Sequence, residues 1–459
     1  MGDAAKTSIV ILTYNNLEYN RNCLESIRKY TEPGTYEIIV VDNCSTDGTR
    51  EWLGTQENIK LLLNDFNAGF PKGCNMGIAL AEKENDILLL NNDTVVTVNW
   101  LKNLRTCLYS NEKIGAVGAV CNHNENLQWE NLPYTTLEEM QEQAEKNNIS
   151  DNGRWEEKLF LIGFCILIKR PVLNGIGTLD EEYTPGYVED NDFSLRIVTA
   201  GYKLMLCHDC FIHHYLGTEF RKDLSRFYPV LNKNRALFTS KWGFSAFAFD
   251  EIKFASLRVY DAPSKTEPVR ILELGCGIGT TLLKIKEKAP HAELYGIEPD
   301  EHMAAIAKRV ATVSTKAIGS FPLEFPEEYF DTIFVGNYLE QVENPTEFLC
   351  KLRKHLKKDG TVIAEIQNLM HYSVIRELLK GVWQNASAST LNRTNRTFFT
   401  LDDIHRLFSG SGYQNPYVLH WYSVPTQEEE AWIQELGKVG GEQRLYLYKT
   451  YLFSVKFQK

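Results

Sequence analysis

The sequence predicts an α/β protein of two consecutive units, each built on a largely parallel sheet covered by helices. Three observations predict it. Near-continuous apolar runs of strand length alternate with helical stretches, the pattern of strands buried on both faces. The rhythm stops in a Pro-containing polar stretch, Asp261-Ala-Pro-Ser-Lys-Thr-Glu-Pro268, and then restarts. The chain also has 459 residues, more than one core usually organises.

The elements follow in order. In the first half, strands are expected over Ser8–Leu12, Glu37–Val41, Ile59–Leu63 and Asp86–Leu90, with helices over Leu17–Tyr30 and Cys74–Ala81. Pro33-Gly34 breaks the first strand–helix unit from the second. In the second half, strands are expected over Val269–Leu274, Glu293–Ile297, Thr332–Val335 and Thr361–Ile366. The alternating, aromatic Arg444–Phe457 reads as one long strand or a hairpin. The expected organisation is a domain over 1–243, a linker over 244–268 and a domain over 269–459, both domains Rossmann-like.

Composition narrows the function classes. Lys and Arg number 49 against 60 Asp and Glu, a net charge of −11. That balance argues against nucleic acid as a partner, which wants a basic footprint. The longest apolar stretch, Leu159–Ile168, is about half of what a bilayer crossing needs, so no transmembrane segment is expected; peripheral association with a membrane stays open. Met1–Lys6 does not read as a secretory leader. Ten cysteines are scattered rather than arranged as a framework, which fits a reducing, cytoplasmic setting.

An open α/β sheet takes its ligand beyond the carboxyl ends of its strands. In the first half those ends carry Thr13, Tyr14 and Asn15; Asp42, Ser45 and Asp47; Asn64, Asn67 and Gly69; and Asn91, Asn92 and Asp93. Turns and helix caps want the same residue types, but four strand ends furnished alike point to a polar ligand. Ile11-Leu-Thr-Tyr-Asn15, Val40-Val-Asp-Asn-Cys-Ser-Thr-Asp-Gly48, Asn67-Ala-Gly-Phe-Pro-Lys-Gly73, Leu88-Leu-Leu-Asn-Asn-Asp-Thr94 and Gly186-Tyr-Val-Glu-Asp-Asn-Asp192 together resemble the family 2 glycosyltransferases of GT-A fold, nearest to the rhamnosyltransferase-like branch.

That resemblance implies roles. The donor would be a nucleotide-diphosphate sugar, and the acceptor a glycan, glycolipid or protein, of the cell-surface polysaccharide or flagellin type. Asp93 would hold a divalent cation, Mn²⁺ or Mg²⁺, in a box that here reads Asn91-Asn92-Asp93 with a single carboxylate. His214 would be a second metal ligand, with His213 the alternative. Asp190 of the Glu189-Asp190 pair would be the general base, its other reading being a helix start. Thr13, Tyr14, Asp42, Asn67, Asn91 and Asn92 would bind the donor, Asp42 reading the base. Asp47 is expected to cap the helix through Trp52, and Lys72 either meets phosphate or is solvated. Cys207-His-Asp-Cys210-Phe-Ile-His213-His214 also has zinc-ligand flavour, but it lacks a second CxxC.

In the second half, Ile271-Leu-Glu-Leu-Gly-Cys-Gly-Ile-Gly279 puts a glycine loop between a strand and a helix, where backbone N–H groups can approach a ligand closely. Glu298 ends the next strand about twenty residues on, suited to ribose hydroxyls. With Ser320–Asp331, Tyr338-Leu-Glu-Gln-Val342, Leu356–Thr361 and Arg393–Thr400, this half resembles the class I S-adenosyl-L-methionine-dependent methyltransferases. Gly275, Gly277, Gly279, Glu298 and Ser320 would then line the cofactor site. Gln341 and Asn395 stand where that family has His, so the resemblance leaves open methylation of the sugar product, cofactor binding without chemistry, or support of the first domain. Two rival readings are a methyltransferase with a glycan-positioning N-terminal half, and a non-catalytic scaffold that binds sugar nucleotide.

Overall fold

In β1 (Thr7–Thr13), β2 (Tyr36–Asp42) and β4 (Asp86–Asn91) nearly every residue is buried, because helices cover both faces of the sheet these strands form. The computed structural model describes residues 6–123, 127–215, 224–262, 266–383, 395–422 and 424–456. Arg393 and Thr394, the middle of the expected linker (263–265) and Phe457 lie outside them. Contacts divide the chain into two units, Met1–Asp250 and Glu251–Lys459.

In the first unit the strand–helix alternation runs β1, α1 (Leu17–Tyr30), β2, α2 (Thr49–Leu53), β3 (Ile59–Leu63), α3 (Phe70–Leu80), β4. It continues with β5 (Thr94–Val95), α4 (Trp100–Tyr109), β6 (Ile114–Val120), α5 (Leu137–Asn147), β7 (Trp155–Lys158), β8 (Cys165–Ile168), α6 (Arg170–Ile176), α7 (Glu189–Thr199), β9 (Lys203–Phe211), β10 (His213–His214) and α8 (Leu224–Trp242). The sheet order is β3-β2-β1-β4-β8-β6-β9-β7. β1 pairs in parallel with β2 and β4, with Thr13 opposite Asp42 and Leu12 opposite Asn91. The carboxyl ends carrying Thr13, Asp42 and Asn91 therefore form one row. α3 starts at Phe70, four residues before the expected helix, with Pro71 in its first turn. Gly73 and Gly77 let it lie on the sheet: a Cβ at either would come within 2.3 Å of Leu12 Cδ1 or 2.4 Å of Val10 Cγ1.

Two pairings that periodicity does not reveal complete this unit. β8 inserts antiparallel between β4 and β6. Separately, β5 and β10 form a short antiparallel ribbon with Thr94 opposite His214. Trp100 of α4 is fully buried, its indole Nε1 donating to Thr31 Oγ1 at 2.9 Å.

The second unit opens with α9 (Phe254–Val259), followed by β11 (Arg270–Leu274), α10 (Thr280–Lys288), β12 (Glu293–Ile297), α11 (Glu301–Ala307), β13 (Thr312–Ser314) and β14 (Phe330–Gly336). Then come α12 (Pro345–Arg353), β15 (Leu356–Gln367), α13 (Tyr372–Leu379), α14 (Leu401–Gly410), β16 (Gln414–Trp421), α15 (Gln427–Gly440), α16 (Arg444–Leu447) and β17 (Thr450–Lys456). The order is β13-β12-β11-β14-β15-β17-β16, with β17 antiparallel to both neighbours and the strands from β13 to β15 parallel. Both units thus have the α/β architecture expected.

Two segments depart from the pattern read in the sequence. Within 244–268, Ala246–Phe249 is a 3-10 turn of the first unit, and α9 belongs to the second. Leu257, Val259 and Tyr260 are buried there against Ile271, Leu282 and Leu452, which is why this stretch is folded. Arg444–Leu447 is a helical turn and only Thr450–Lys456 is strand; Tyr446 in the turn and Tyr448 just after it imitate the period of a strand.

Candidate active site

At the end of β2, Asp42 is fully buried. Its Oδ2 accepts from Ser45 N at 3.1 Å and pairs with Arg50 Nη1 at 3.3 Å. Its Oδ1 is buried with no hydrogen-bond partner. Leaving a buried acceptor unmade is costly, so Oδ1 suits an incoming N–H donor. Thr13, also buried, lies across from it, and Tyr14 is exposed. Asn15 and Asn16 are left-handed, and Asn15 is tied to Ser45 Oγ and Thr46 N at 2.7 and 2.8 Å. Asp47 accepts from Thr49 N at 3.1 Å and from Leu17 N at 3.0 Å, so it serves two helix starts. Asn67 is exposed and spends its Oδ1 on Gly69 N at 2.9 Å, a turn contact. Lys72 is exposed beside the Phe66 ring.

The Asn91-Asn92-Asp93 box follows β4. Asn92 Nδ2 turns back to Asn20 Oδ1 at 3.0 Å and Thr13 Oγ1 at 3.3 Å; Asn20, in the first turn of α1, carries no sequence signal. The β5–β10 ribbon brings Asp93 Oδ1 to 3.2 Å from His214 Nε2. Asn91 Nδ2 is 3.5 Å from the same nitrogen. The imidazole stacks on Phe164, centroids 5.0 Å apart. Burial opposes charge on His214, but Asp93 and Cys121 hold its pKa up at about 9. Two ligands of one octahedral ion at about 2.1 Å sit roughly 3 Å apart, so this oxygen–imidazole pair fits a divalent cation whose remaining positions a diphosphate and water would fill. Among the described residues no cluster of three or more His, Cys, Asp or Glu could hold a metal.

The zinc alternative disperses. Cys207 and Cys210 are buried thiols, and Cys210 Sγ approaches Trp100 O. His213 Nδ1 lies 2.6 Å from the Tyr134 hydroxyl, and burial lowers its pKa to about 4. His208 sits between Glu130 at 2.7 Å and Glu156 at 3.1 Å. Burial works against its charge, but the two carboxylates raise its pKa to about 9. A raised folded-state pKa gives stability that is full below the unfolded value near 6.5 and lost as pH rises through 9. Urea unfolding at pH 6.5 and 9.5 should therefore show the wild type losing on the order of 3 kcal/mol that His208→Gln does not lose. Equal losses in both proteins would refute the assignment.

The acidic pair opens α7. Tyr187 and Val188 ahead of it have φ of 74° and 75°, a costly conformation for a β-branched residue. It is held by Asn234 of α8, buried, whose Nδ2 donates to the carbonyls of Tyr183, Gly186 and Tyr187 at 2.6, 2.7 and 3.0 Å. Glu189 is buried, and burial and the Asp190 charge push its carboxyl well above the usual range. Asp190 Oδ2 accepts from Gly163 N at 3.2 Å and Oδ1 from Asn191 N at 2.9 Å. Phe164, next to Gly163, accepts from Asn91 N at 2.8 Å through its carbonyl. Gly163-Phe164 thus links Asp190 to the box and to His214; in the sequence both lie inside a plain apolar run. Asp192 is a structural tie, bonded to Arg196, Lys241 and Trp242 at 2.9, 2.8 and 2.9 Å. Asn234→Leu should cost about 1–3 kcal/mol in urea unfolding, since it takes a donor from the Gly186 and Tyr187 carbonyls, while Tyr183 O keeps the Gly186 N–H.

In the second unit Gly275, Gly277 and Gly279 have φ of 61°, 53° and 95°, positions that side chains strain. Glu298, buried, accepts from Gly277 N at 2.8 Å and Asp300 N at 3.0 Å. Gly275 N and Cys276 N donate to Ile297 O. Ser320 is exposed in the loop after β13. Asn395 Nδ2 donates to Gln367 Oε1 at 2.7 Å, and Gln341 Nε2 to Asn337 O at 3.3 Å. Between these amides lies Glu340, which the sequence reading passed over. Burial pushes its carboxyl up to about 8, and its Oε1 accepts from Gln367 N at 2.8 Å.

A carboxylate–imidazole pair and an acidic helix start at one end of a mixed sheet define a GT-A-like unit. The 3-2-1-4-5-7-6 strand order with a glycine loop after its first strand defines a class I methyltransferase-like unit. Residues 8–177 match the family model Glycosyl transferase family 2, and residues 212–418 match Methyltransferase domain. The chain therefore carries a family 2 glycosyltransferase domain followed by a methyltransferase domain. It is 26% identical over 212 residues, 44% of this chain and 64% of that protein, to Glycosyltransferase AglE of Haloferax volcanii. It is 25% identical over 212 residues to dTDP-rhamnosyl transferase RfbF of Shigella flexneri, 46% of this chain and 69% of that protein. Over 102 residues, 22% of this chain and 36% of that protein, it is 30% identical to malonyl-(acyl-carrier protein) O-methyltransferase of Bacillus cytotoxicus. The chain thus spans less than two thirds of the length of Glycosyltransferase AglE.

Proposed function

We propose that the chain transfers a sugar from a nucleotide-diphosphate donor to a hydroxyl of a glycan, glycolipid or protein acceptor, with inversion at the anomeric carbon. The observation that carries this reading is the 3.2 Å approach of Asp93 Oδ1 to His214 Nε2. Asp93 and His214 would hold Mn²⁺ or Mg²⁺, which when bound neutralises charge growing on the leaving diphosphate. Asp190 takes the acceptor proton as the new O–C bond forms, the bond from the anomeric carbon to phosphate oxygen breaks and the nucleotide diphosphate leaves with the electron pair. Asp42 accepts from the nucleobase through Oδ1, with Thr13 and Tyr14 beside it. Asn91 faces the sugar side; Asn92 and Asn67 shape the site through Asn20, Thr13 and the Gly69 turn.

The second unit, in this reading, binds S-adenosyl-L-methionine through Gly275, Gly277, Gly279 and Glu298, with Ser320 toward the adenine. The cofactor supplies a methyl group, and the transferred sugar is its natural destination. Glu340 is then the titratable group beside Gln341 and Asn395. Among the described residues no helix is long and apolar enough to cross a membrane, and we place the protein in the cytoplasm, where nucleotide sugars and S-adenosyl-L-methionine are both at hand. The test is a panel of UDP-, dTDP- and GDP-sugars with Mn²⁺, Mg²⁺ or EDTA. One nucleotide should be released in the presence of cation and not with EDTA. Failure of every donor to turn over, with no nucleotide bound in a titration, would end this reading.

A further inference from the structure

Beneath the glycine loop, three acceptors converge on one ammonium. Lys253, just ahead of α9, donates through Nζ to Glu273 Oε1 at 2.7 Å, Leu274 O at 3.0 Å and Gly275 O at 2.8 Å. Its stem runs past Gly336 at the end of β14, where a Cβ would come within 3.1 Å of Lys253 Cε. Its own backbone N is fixed by Thr281 Oγ1 at 3.2 Å. Glu273 is buried, with the Thr281 hydroxyl beside the carboxylate, and its Oε2 makes no hydrogen bond of normal geometry. An ammonium has three protons and no acceptor, so one carboxylate oxygen and two carbonyls satisfy it completely. This nest lies at the carboxyl end of β11, where an open α/β sheet takes its ligand.

We propose that this nest is an ammonium subsite of the cofactor pocket and that Lys253 is its internal occupant, which the amino-acid end of the incoming ligand must displace. The inference rests on the reading of the second unit as an S-adenosyl-L-methionine site. The α-ammonium of that ligand presents the same three donors as Nζ, and three acceptors cannot serve both cations. Lys253 therefore taxes ligands that carry an α-ammonium and leaves untouched those that end at the thioether.

The test is calorimetric titration of the full chain with S-adenosylhomocysteine and with 5′-methylthioadenosine, which shares the adenosine and thioether but lacks the amino-acid end. Lys253→Met, which keeps the stem, should bind S-adenosylhomocysteine at least tenfold more tightly than wild type and 5′-methylthioadenosine within about twofold. Lys253→Gln, which keeps donors without charge, should fall between them. Unchanged or weaker binding of S-adenosylhomocysteine with 5′-methylthioadenosine unaffected would overturn the displacement. Weakening of both ligands in both variants would make Lys253 a brace for the loop and overturn it equally. If neither ligand binds even the wild type, the cofactor reading itself falls.

Discussion

Asp190→Asn should lower sugar transfer by roughly a thousandfold, the range of a lost general base, while Glu189→Gln stays within about threefold of wild type. The two carboxylates are neighbours in sequence but not in environment. Glu189 is buried, and burial together with the Asp190 charge pushes its carboxyl well above the usual carboxylate range, so an amide there replaces a group whose charge the surroundings disfavour. Asp190 is only half-buried and accepts from two backbone N–H groups, of Gly163 and Asn191. Asparagine keeps the size and the oxygen for one of these bonds but cannot take a proton. Nucleotide binding measured by titration should be the same in Asp190→Asn as in wild type, and the rate of transfer alone should collapse. Wild-type kcat in that variant would exclude Asp190 as the base. Equal losses in both variants would instead assign the effect to the helix start as a whole.

How much of this was open to inspection in the sequence follows from what periodicity can and cannot carry. The parallel strands β1, β2, β4, β11 and β12 stand out because burial on both faces demands unbroken apolar runs. The polar strand ends stand out for the same reason, as abrupt changes of composition. What the sequence conceals is pairing. β5 and β10 are two residues each, too short to have a period, yet their pairing is what joins Asp93 to His214. Without a resemblance to a family nothing local couples residues so far apart. Gly163 hides in an apolar run because its contribution is a backbone N–H. Asn234 hides because a buried amide that donates to three carbonyls looks, in one dimension, like any polar residue on a helix. Lys253 was read as linker, since exposure cannot be told from a few polar residues before a proline-containing stretch. Asn92 and Asn67 are expected to bind the donor through the family resemblance; in the structure Asn92 Nδ2 donates to Asn20 and Thr13, and Asn67 Oδ1 accepts from Gly69 N.

The single carboxylate of the box makes Asp93→Ala the other variant with a large expected effect, a loss of about 10²–10³-fold in transfer together with loss of the response to Mn²⁺. A box with two acidic residues could lose one and keep cation affinity; here Asn91 and Asn92 offer only amides, and the Asn92 amide is spent on Asn20 and Thr13. His214→Ala keeps the carboxylate and should therefore raise the Mn²⁺ concentration for half-maximal activity by about 10–100-fold while approaching a similar maximal rate. The two variants must differ in this way if both side chains face one cation. The same geometry admits a purely structural pair, a buried imidazolium neutralised by a carboxylate, and that reading makes opposite demands. It requires both variants to lose stability, because truncating one member strands the other, and to leave the Mn²⁺ dependence unchanged. In Asp93→Ala burial acts on His214 with its main counter-charge removed, so its pKa, about 9 in the native protein, should fall markedly, which histidine proton shifts would follow. That fall is common to both readings and certifies that the pair was formed. Manganese titration by electron paramagnetic resonance then decides between them: tight binding to wild type, weaker binding to His214→Ala and none to Asp93→Ala is the ordering that only a shared cation produces.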